Sequence, residues 1–128
     1  MAIVVLAAMA VGVSAWQQHR WPPAPSQADR DAGIIRLAGA NGGIPPTEVD
    51  VRVGDRTVTL LFLWLDRSAA AKINVIEELP NRPVPWRAFT LRQRESGAAL
   101  GVRITVVRIH DMPNEDHNAV DVTAAPAG

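Results

Sequence analysis

The chain has 128 residues, which is enough for one domain and not comfortably for two. Its 13 Lys and Arg residues balance 13 Asp and Glu residues, so the formal net charge is zero, and it contains no cysteine. The charge balance argues against a nucleic-acid-binding protein, which would carry a basic face, and against a general attraction to anionic lipid. The lack of cysteine excludes disulfide bonds, thiol catalysis and thiolate metal sites.

The N-terminal segment is apolar throughout. Residues 2–16 read AIVVLAAMAVGVSAW, and the polar run QQHR ends the segment. With Met1 the apolar stretch has 16 residues, just under the ~17–25 of a spanning helix. We therefore predict a retained membrane anchor, a transmembrane helix over residues 1–20. The anchor residues are Ile3, Val4, Val5, Leu6, Val11, Val13 and Trp16.

A cleaved export signal is the main alternative to an anchor. Val13, Ser14 and Ala15 are small residues of the kind that precede a signal peptidase site, and cleavage would leave a secreted or periplasmic protein beginning at Trp16. No Lys or Arg precedes the apolar stretch, however, as an export signal normally requires. A soluble core helix is a third alternative, which the apolarity on all sides argues against.

The side of the membrane is a separate question. Arg20 alone, under the positive-inside rule, favours a cytoplasmic location for the following domain. We nevertheless predict an extracytoplasmic domain, because the rest of the chain is typical of a secreted β domain.

A linker rich in proline and glycine spans residues 21–47. Its first part, WPPAPSQA, favours extended or polyproline backbone, which would hold a domain away from a surface. Ser26 with Asp29 three residues later predicts a helix N-cap and a short helix over about 27–38, although residues 34–37 also suit a strand. The following GANGGIPP is interpreted as a loop, since it lacks the Lys-Ser/Thr ending of a phosphate-binding loop.

Residues 48–123 carry the pattern of a β domain. Apolar and polar residues alternate from 49 to 53, and Gly54 followed by Asp55 fits a two-residue hairpin. Later strands are predicted around residues 56–65, 73–75, 86–93, 100–106 and 120–122, with a turn at Gly97. Five to six short strands predict an all-β fold, a small sandwich or barrel. Residues 124–128 are predicted to form a flexible tail.

The apolar run 60–65 admits two interpretations. In a central strand these residues would belong to the core, which is the interpretation we favour. In an edge strand they would expose a long apolar surface that needs a partner.

The stretch RIHDMPNEDH at residues 108–117 has a composition that suits a metal. Imidazole binds several metals and thioether selects cuprous copper, so His110, Met112 and His117 are candidate copper ligands. The same stretch joins two apolar alternating runs and is rich in turn-forming residues. We interpret it as a hairpin turn and keep copper as the alternative cofactor, no cofactor being otherwise predicted.

No convergent catalytic set is present in the sequence. The four serines lie outside any G-x-S-x-G elbow, and the adjacent Glu77 and Glu78 would point to opposite faces of a strand. We therefore expect a protein that is not an enzyme and that binds no nucleic acid. The order of anchor, spacer and small β domain indicates an accessory or binding module that packs against a larger, membrane-associated protein partner. An exported copper-binding protein is the alternative.

Overall fold

The computed structural model describes residues 21–39, 46–77 and 85–127. The first half of this part of the chain contains α1 (Gln27–Asp31), β1 (Ile35–Ala38), β2 (Glu48–Val53), β3 (Arg56–Leu65) and β4 (Ala71–Ile76). The second half contains β5 (Trp86–Leu91), β6 (Ser96–Ala99), β7 (Val102–His110), a 3₁₀ turn (Glu115–His117) and β8 (Ala119–Pro126).

The strands form two antiparallel sheets that face each other in an open, sandwich-like arrangement. The first sheet has the order β1-β8-β7-β6 and the second has the order β2-β3-β4-β5. Between the two sheets, β1 contacts β3, β5 contacts β6 and β2 contacts β8. The predicted all-β class is confirmed. The predicted number of strands was too low, because the described residues contain eight.

The core lies between the inner faces of the two sheets. Alternation with period two directs every second residue inward, so both sheets contribute fully buried apolar side chains. The largest of these are Phe62, Leu37, Leu60, Ile73, Ile104, Val58, Val75, Val102, Val106, Val120 and Val122. The run 60–65 belongs to β3, which lies between β2 and β4 and is therefore central, as we favoured, but only Leu60, Leu61 and Phe62 of the run are buried. Within it Trp64 is 54% exposed.

The predicted helix start is confirmed and the predicted helix length is wrong. The Ser26 hydroxyl accepts a hydrogen bond from the Asp29 backbone N–H at 3.1 Å, and the Asp29 carboxylate accepts one from the Ser26 N–H at 3.0 Å. This capping box begins a helix of five residues. Gly33 then adopts a φ of +79°, which ends the helix, and β1 pairs with β8. The strand interpretation of this stretch was the correct one.

Two hairpins, β2–β3 and β6–β7, have turns with residues at positive φ, and only the first of these turns was predicted. Val53 pairs with Arg56, so the two intervening residues form the predicted turn, with Gly54 at a φ of +64°. Leu100 was assigned to a strand and instead occupies a turn with Gly101, at φ values of +53° and +77°. β6 and β7 thus form a hairpin that the sequence pattern did not show.

Gly97 was predicted to be a turn and lies within β6. A Cβ atom at this position would come within 2.7 Å of the Phe89 ring, which packs across from the second sheet. Glycine is needed here because the two sheets approach closely, and the chain does not reverse at this point.

The folded domain extends beyond both predicted boundaries of the β domain, residues 48 and 123. β8 continues to Pro126, which pairs with Val102, so the β domain extends beyond residue 123. The linker contributes α1 and β1 to the folded part. The predicted anchor over residues 1–20 lies outside the described residues. Among those residues, no helix has both the length and the apolar character needed to cross a bilayer.

Candidate functional site

A row of charged side chains crosses the outer face of the first sheet. Arg36 on β1 pairs with Asp121 on β8, and Asp121 pairs with Arg108 on β7. Residues directly opposite each other in antiparallel strands share a face, so the three side chains lie side by side as Arg-Asp-Arg. Val120 and Val122 flank Asp121 and point into the core. We call this row, together with His110, the Asp121 cluster.

Asp121 is fully buried and receives three partners. The Arg36 guanidinium forms a salt bridge with Oδ1 through Nε and donates from Nη2 to Oδ2 at 3.3 Å. His110 Nε2 lies 2.9 Å from Oδ2. Burial raises the pKa of a carboxyl group, but the hydrogen bonds of His110 and Arg36 outweigh it and lower the pKa of Asp121 to about 2. The carboxylate is therefore ionised throughout the physiological range.

Arg108 connects the cluster to the N-terminal helix. Its Nε lies 3.2 Å from Asp121 and its Nη2 lies 2.9 Å from Asp29. Neither nitrogen meets hydrogen-bond geometry, so both contacts are ion pairs. Asp29 also caps α1 through Ser26, and the Ser26 N–H and Arg108 together lower its pKa. The same carboxylate thus begins the helix and holds it on the sheet.

Residues 21–33, which include α1 and are called the spacer below, are fastened to the same face. Arg36 Nη2 donates to the Pro23 carbonyl oxygen at 2.7 Å. The Trp21 ring stacks on the His117 ring, with centroids 3.5 Å apart and planes inclined by 19°. The spacer, residues 21–33, is therefore tied to the domain at three points, through Trp21, Pro23 and Asp29. A stiff spacer that holds the domain away was predicted, whereas the described part of it lies on the domain.

Two of the three predicted copper ligands, His110 and His117, have side-chain partners, whereas the contact shown for Met112 is made by its backbone. His110 ends β7, and its Nε2 lies near Asp121 and 3.2 Å from Arg36 Nη2. The Met112 backbone N–H donates to the Asn118 side chain at 2.7 Å, and His117 stacks on Trp21. A metal ion at His110 Nε2 would have to displace a guanidinium cation. In the part of the chain that the structure describes, no three His, Asp or Glu side chains are grouped to hold a metal. Copper binding stays a prediction.

Of the stretch 108–117 that was predicted to form a turn, the first three residues belong to β7, and the connection to β8 spans residues 111–118. Asn114 caps the 3₁₀ turn by accepting from the Asp116 N–H at 3.0 Å, and Asn118 holds the start of the loop through Met112. These contacts place His117 against the spacer. The loop therefore takes part in docking the N-terminal segment.

Sequence reasoning missed Arg36 and Asp121. An aspartate between two valines in an alternating strand is typical of a solvent-exposed position, and nothing local distinguishes it from a buried one. Arg36 was assigned to a linker. The sequence does show that the two side chains carry opposite charges. It does not show that they meet, because the pairing of β1 with β8 joins residues far apart in the chain.

Comparisons with protein-family models, curated proteins and solved structures found no match to this chain.

Proposed function

We propose that this protein is a membrane-anchored, non-enzymatic accessory or binding module, whose extracytoplasmic β domain packs against a larger membrane protein. One observation carries the proposal: the spacer that follows the apolar segment is fastened to the β domain by the Asp121 cluster. Asp29 binds Arg108 at 2.9 Å, and Arg36 binds the Pro23 carbonyl at 2.7 Å.

A fastened spacer determines how an anchored domain is presented. Free polyproline segments act as semi-rigid rods and leave the attached domain free to rotate. Here the chain enters the domain at Trp21, beside the β7–β8 loop, because the Trp21 ring stacks on His117. A domain tied to its anchor in this way would meet a membrane partner in few orientations. Less rotational freedom would be lost on binding, which favours association.

The second sheet offers a surface for the partner. Trp64 and Trp86 lie on its strands and are 54% and 58% exposed. Exposed tryptophan is enriched at protein interfaces, where its large ring is buried on binding. The spacer lies on the outer face of the first sheet, so it leaves the second sheet available. We assign the partner contact to the side of the domain that carries Trp64 and Trp86.

The test uses the full chain in membranes of its native cells. Leu6→Arg places a charge in the apolar segment, at a cost of about 3 kcal/mol for a spanning helix. The matched control, Thr57→Arg, adds the same charge at an exposed position of β3. We expect Leu6→Arg alone to move protein into the soluble fraction and to abolish cross-linking to a membrane partner. Membrane retention and cross-linking equal to wild type would overturn the proposal.

The intact mass in each fraction tests the anchor separately. A full-length mass in the membrane fraction is expected for a retained helix. A soluble species beginning at Trp16 would show that the segment is a cleaved export signal, and the anchored module would then be wrong.

A further inference from the structure

A cleft of about 250 Å³ opens where β3 ends and the β7–β8 loop crosses the sandwich. Residues 62–65 of β3 line one part of it, and Glu115, Asp116 and Asn118 line another, together with Gly39. We call this feature the Trp64 cleft. Its lining residues include aromatic, aliphatic and acidic ones.

A β-bulge accounts for the position of Trp64. The pairing of β3 with β4 shifts between Phe62 and Trp64, so Leu63 is an extra residue in β3. A bulge bends the strand and redirects the side chains that follow it. Lys72 Nζ lies 5.6 Å from the centroid of the Trp64 ring, so this ring already attracts a cation.

The two acidic residues of the cleft have no cationic partner among the described residues. Neither Glu115 nor Asp116 forms an ion pair within the described ranges of the chain. The nearby backbone is satisfied, because the Asp116 N–H donates to the Asn114 side chain at 3.0 Å. Two carboxylates beside an aromatic wall therefore form a negatively charged site with an apolar side.

Asn118 adds a hydrogen-bond donor to the cleft. It is 7% exposed, and its side-chain oxygen accepts from the Met112 N–H at 2.7 Å. The side-chain oxygen is occupied by this hydrogen bond, so the amide nitrogen is the group that can donate to a ligand. It donates to no acceptor among the residues that the structure describes. The nitrogen is not among the buried side-chain atoms that lack a partner, so it is open to the cleft, where the carbonyl oxygen of a ligand can replace water as its acceptor.

We propose that the Trp64 cleft binds an arginine side chain on an extended peptide segment of the protein partner. This inference rests on the proposed function, since it names the chemistry by which that partner is recognised. A guanidinium group stacks on an aromatic face and forms paired hydrogen bonds with carboxylates, which matches Trp64 with Glu115 and Asp116. The peptide backbone supplies the carbonyl oxygen that the Asn118 amide lacks.

Arginine fits this site better than lysine. The ammonium group of lysine is a compact, strongly hydrated charge, whereas the flat guanidinium keeps its stacking and its fork of donors when partly desolvated. We therefore expect the cleft to bind arginine slightly more tightly than lysine, and to bind either of them much more tightly than a neutral analogue.

The test uses the full-length, ¹⁵N-labelled protein in neutral detergent micelles. The probes are acetyl-Gly-Arg-Gly-amide and the same peptide with citrulline, which keeps the shape of arginine without its charge. Binding is followed through the indole N–H signal of Trp64. Glu115→Gln with Asp116→Asn removes both carboxylates, and Glu48→Gln with Asp50→Asn removes two exposed carboxylates elsewhere as a matched control.

We expect the arginine peptide to shift the Trp64 signal and the citrulline peptide to bind at least about tenfold more weakly. Loss of both cleft carboxylates should weaken binding by at least the same factor, and the control should not. Equal binding of both peptides, or an unchanged affinity without the cleft carboxylates, would overturn the inference. Binding that is seen only after Arg20→Ala would identify the chain's own arginine as the occupant and overturn the partner assignment.

The two proposals fail separately. If the peptide does not bind while Leu6→Arg still releases the protein from membranes and from its cross-linked partner, the cleft inference is wrong and the anchored module stands. If Leu6→Arg has no effect, the anchored module is wrong whatever the peptide does.

Discussion

Asp121→Asn is the substitution that most directly tests the Asp121 cluster. The asparagine keeps the size of the side chain and removes the charge that Arg36 and Arg108 face. Lowering the pKa of Asp121 from 3.8 to about 2 corresponds to about 2 kcal/mol of stability, at ~1.36 kcal/mol per pKa unit. Breaking a buried ion pair by removing one partner costs about 3–5 kcal/mol.

The lower end of that range applies to this cluster. The Arg36 and Arg108 side chains are 20% and 42% exposed, so water partly replaces the lost carboxylate. We therefore expect the free energy of unfolding at pH 7 to fall by about 3 kcal/mol.

The pH dependence gives a second, independent signature. The pKa of Asp121 is lower in the folded chain than in the unfolded chain, so the unfolded state binds the proton more readily. The contribution of this carboxylate is fully present above about pH 5 and is lost as the pH falls through about 2. About 1 kcal/mol of it is lost by pH 3. The difference in the free energy of unfolding between wild type and Asp121→Asn should therefore be about 1 kcal/mol smaller at pH 3 than at pH 7.

The assay is urea unfolding of the full-length protein in neutral detergent, followed by tryptophan fluorescence at both pH values. Asp50→Asn is the matched control, because it removes one exposed carboxylate while its oxygen can still accept from the Thr59 hydroxyl. A loss below about 1 kcal/mol for Asp121→Asn at pH 7, or an unchanged difference at pH 3, would refute the reasoning.

Three further predictions concern packing, capping and metal binding. Gly97→Val should lower the free energy of unfolding by about 1–3 kcal/mol, since the Phe89 ring lies 2.7 Å from the Cβ position; thermal unfolding measures it. Ser26→Ala removes the helix cap, worth about 1 kcal/mol, so tryptic cleavage within the spacer should accelerate about fivefold on peptide mapping. If copper binds, equilibrium dialysis should show retention by wild type and loss in His110→Ala and His117→Ala. Equal and negligible binding in all three proteins ends that hypothesis.

The first two of these predictions have controls on β6. Ala98→Val adds the same side chain next to Gly97 at an exposed position and should leave stability within about 0.5 kcal/mol. Ser96→Ala removes an exposed hydroxyl that bonds to Thr105 and should leave cleavage of the spacer unchanged. If Ala98→Val lowers the free energy of unfolding as much as Gly97→Val does, the close approach of the two sheets at Gly97 does not explain the loss.

The features predicted correctly from the sequence depend on neighbours along the chain. Ser26 and Asp29 cap a helix because they lie three residues apart, wherever the rest of the chain folds. Gly54 with Asp55 forms a hairpin turn because glycine adopts a positive φ at little cost. The alternating valines of β2 indicate a strand with one buried face. Local conformational preference and side-chain periodicity are therefore sufficient for the all-β class.

The tertiary structure decided which strands are neighbours, and with that it decided the candidate site. Arg36 and Asp121 are 85 residues apart in sequence and meet because β1 pairs with β8 in one register. A shift of that register by one residue would turn Asp121 toward the core and separate the charges. The sequence of residues 21–33 predicts a spacer and a helix but does not predict where they lie. They lie on the first sheet because Asp29 forms an ion pair with Arg108 there. Pairing between distant segments follows from burial of the whole core, which no short stretch of sequence encodes.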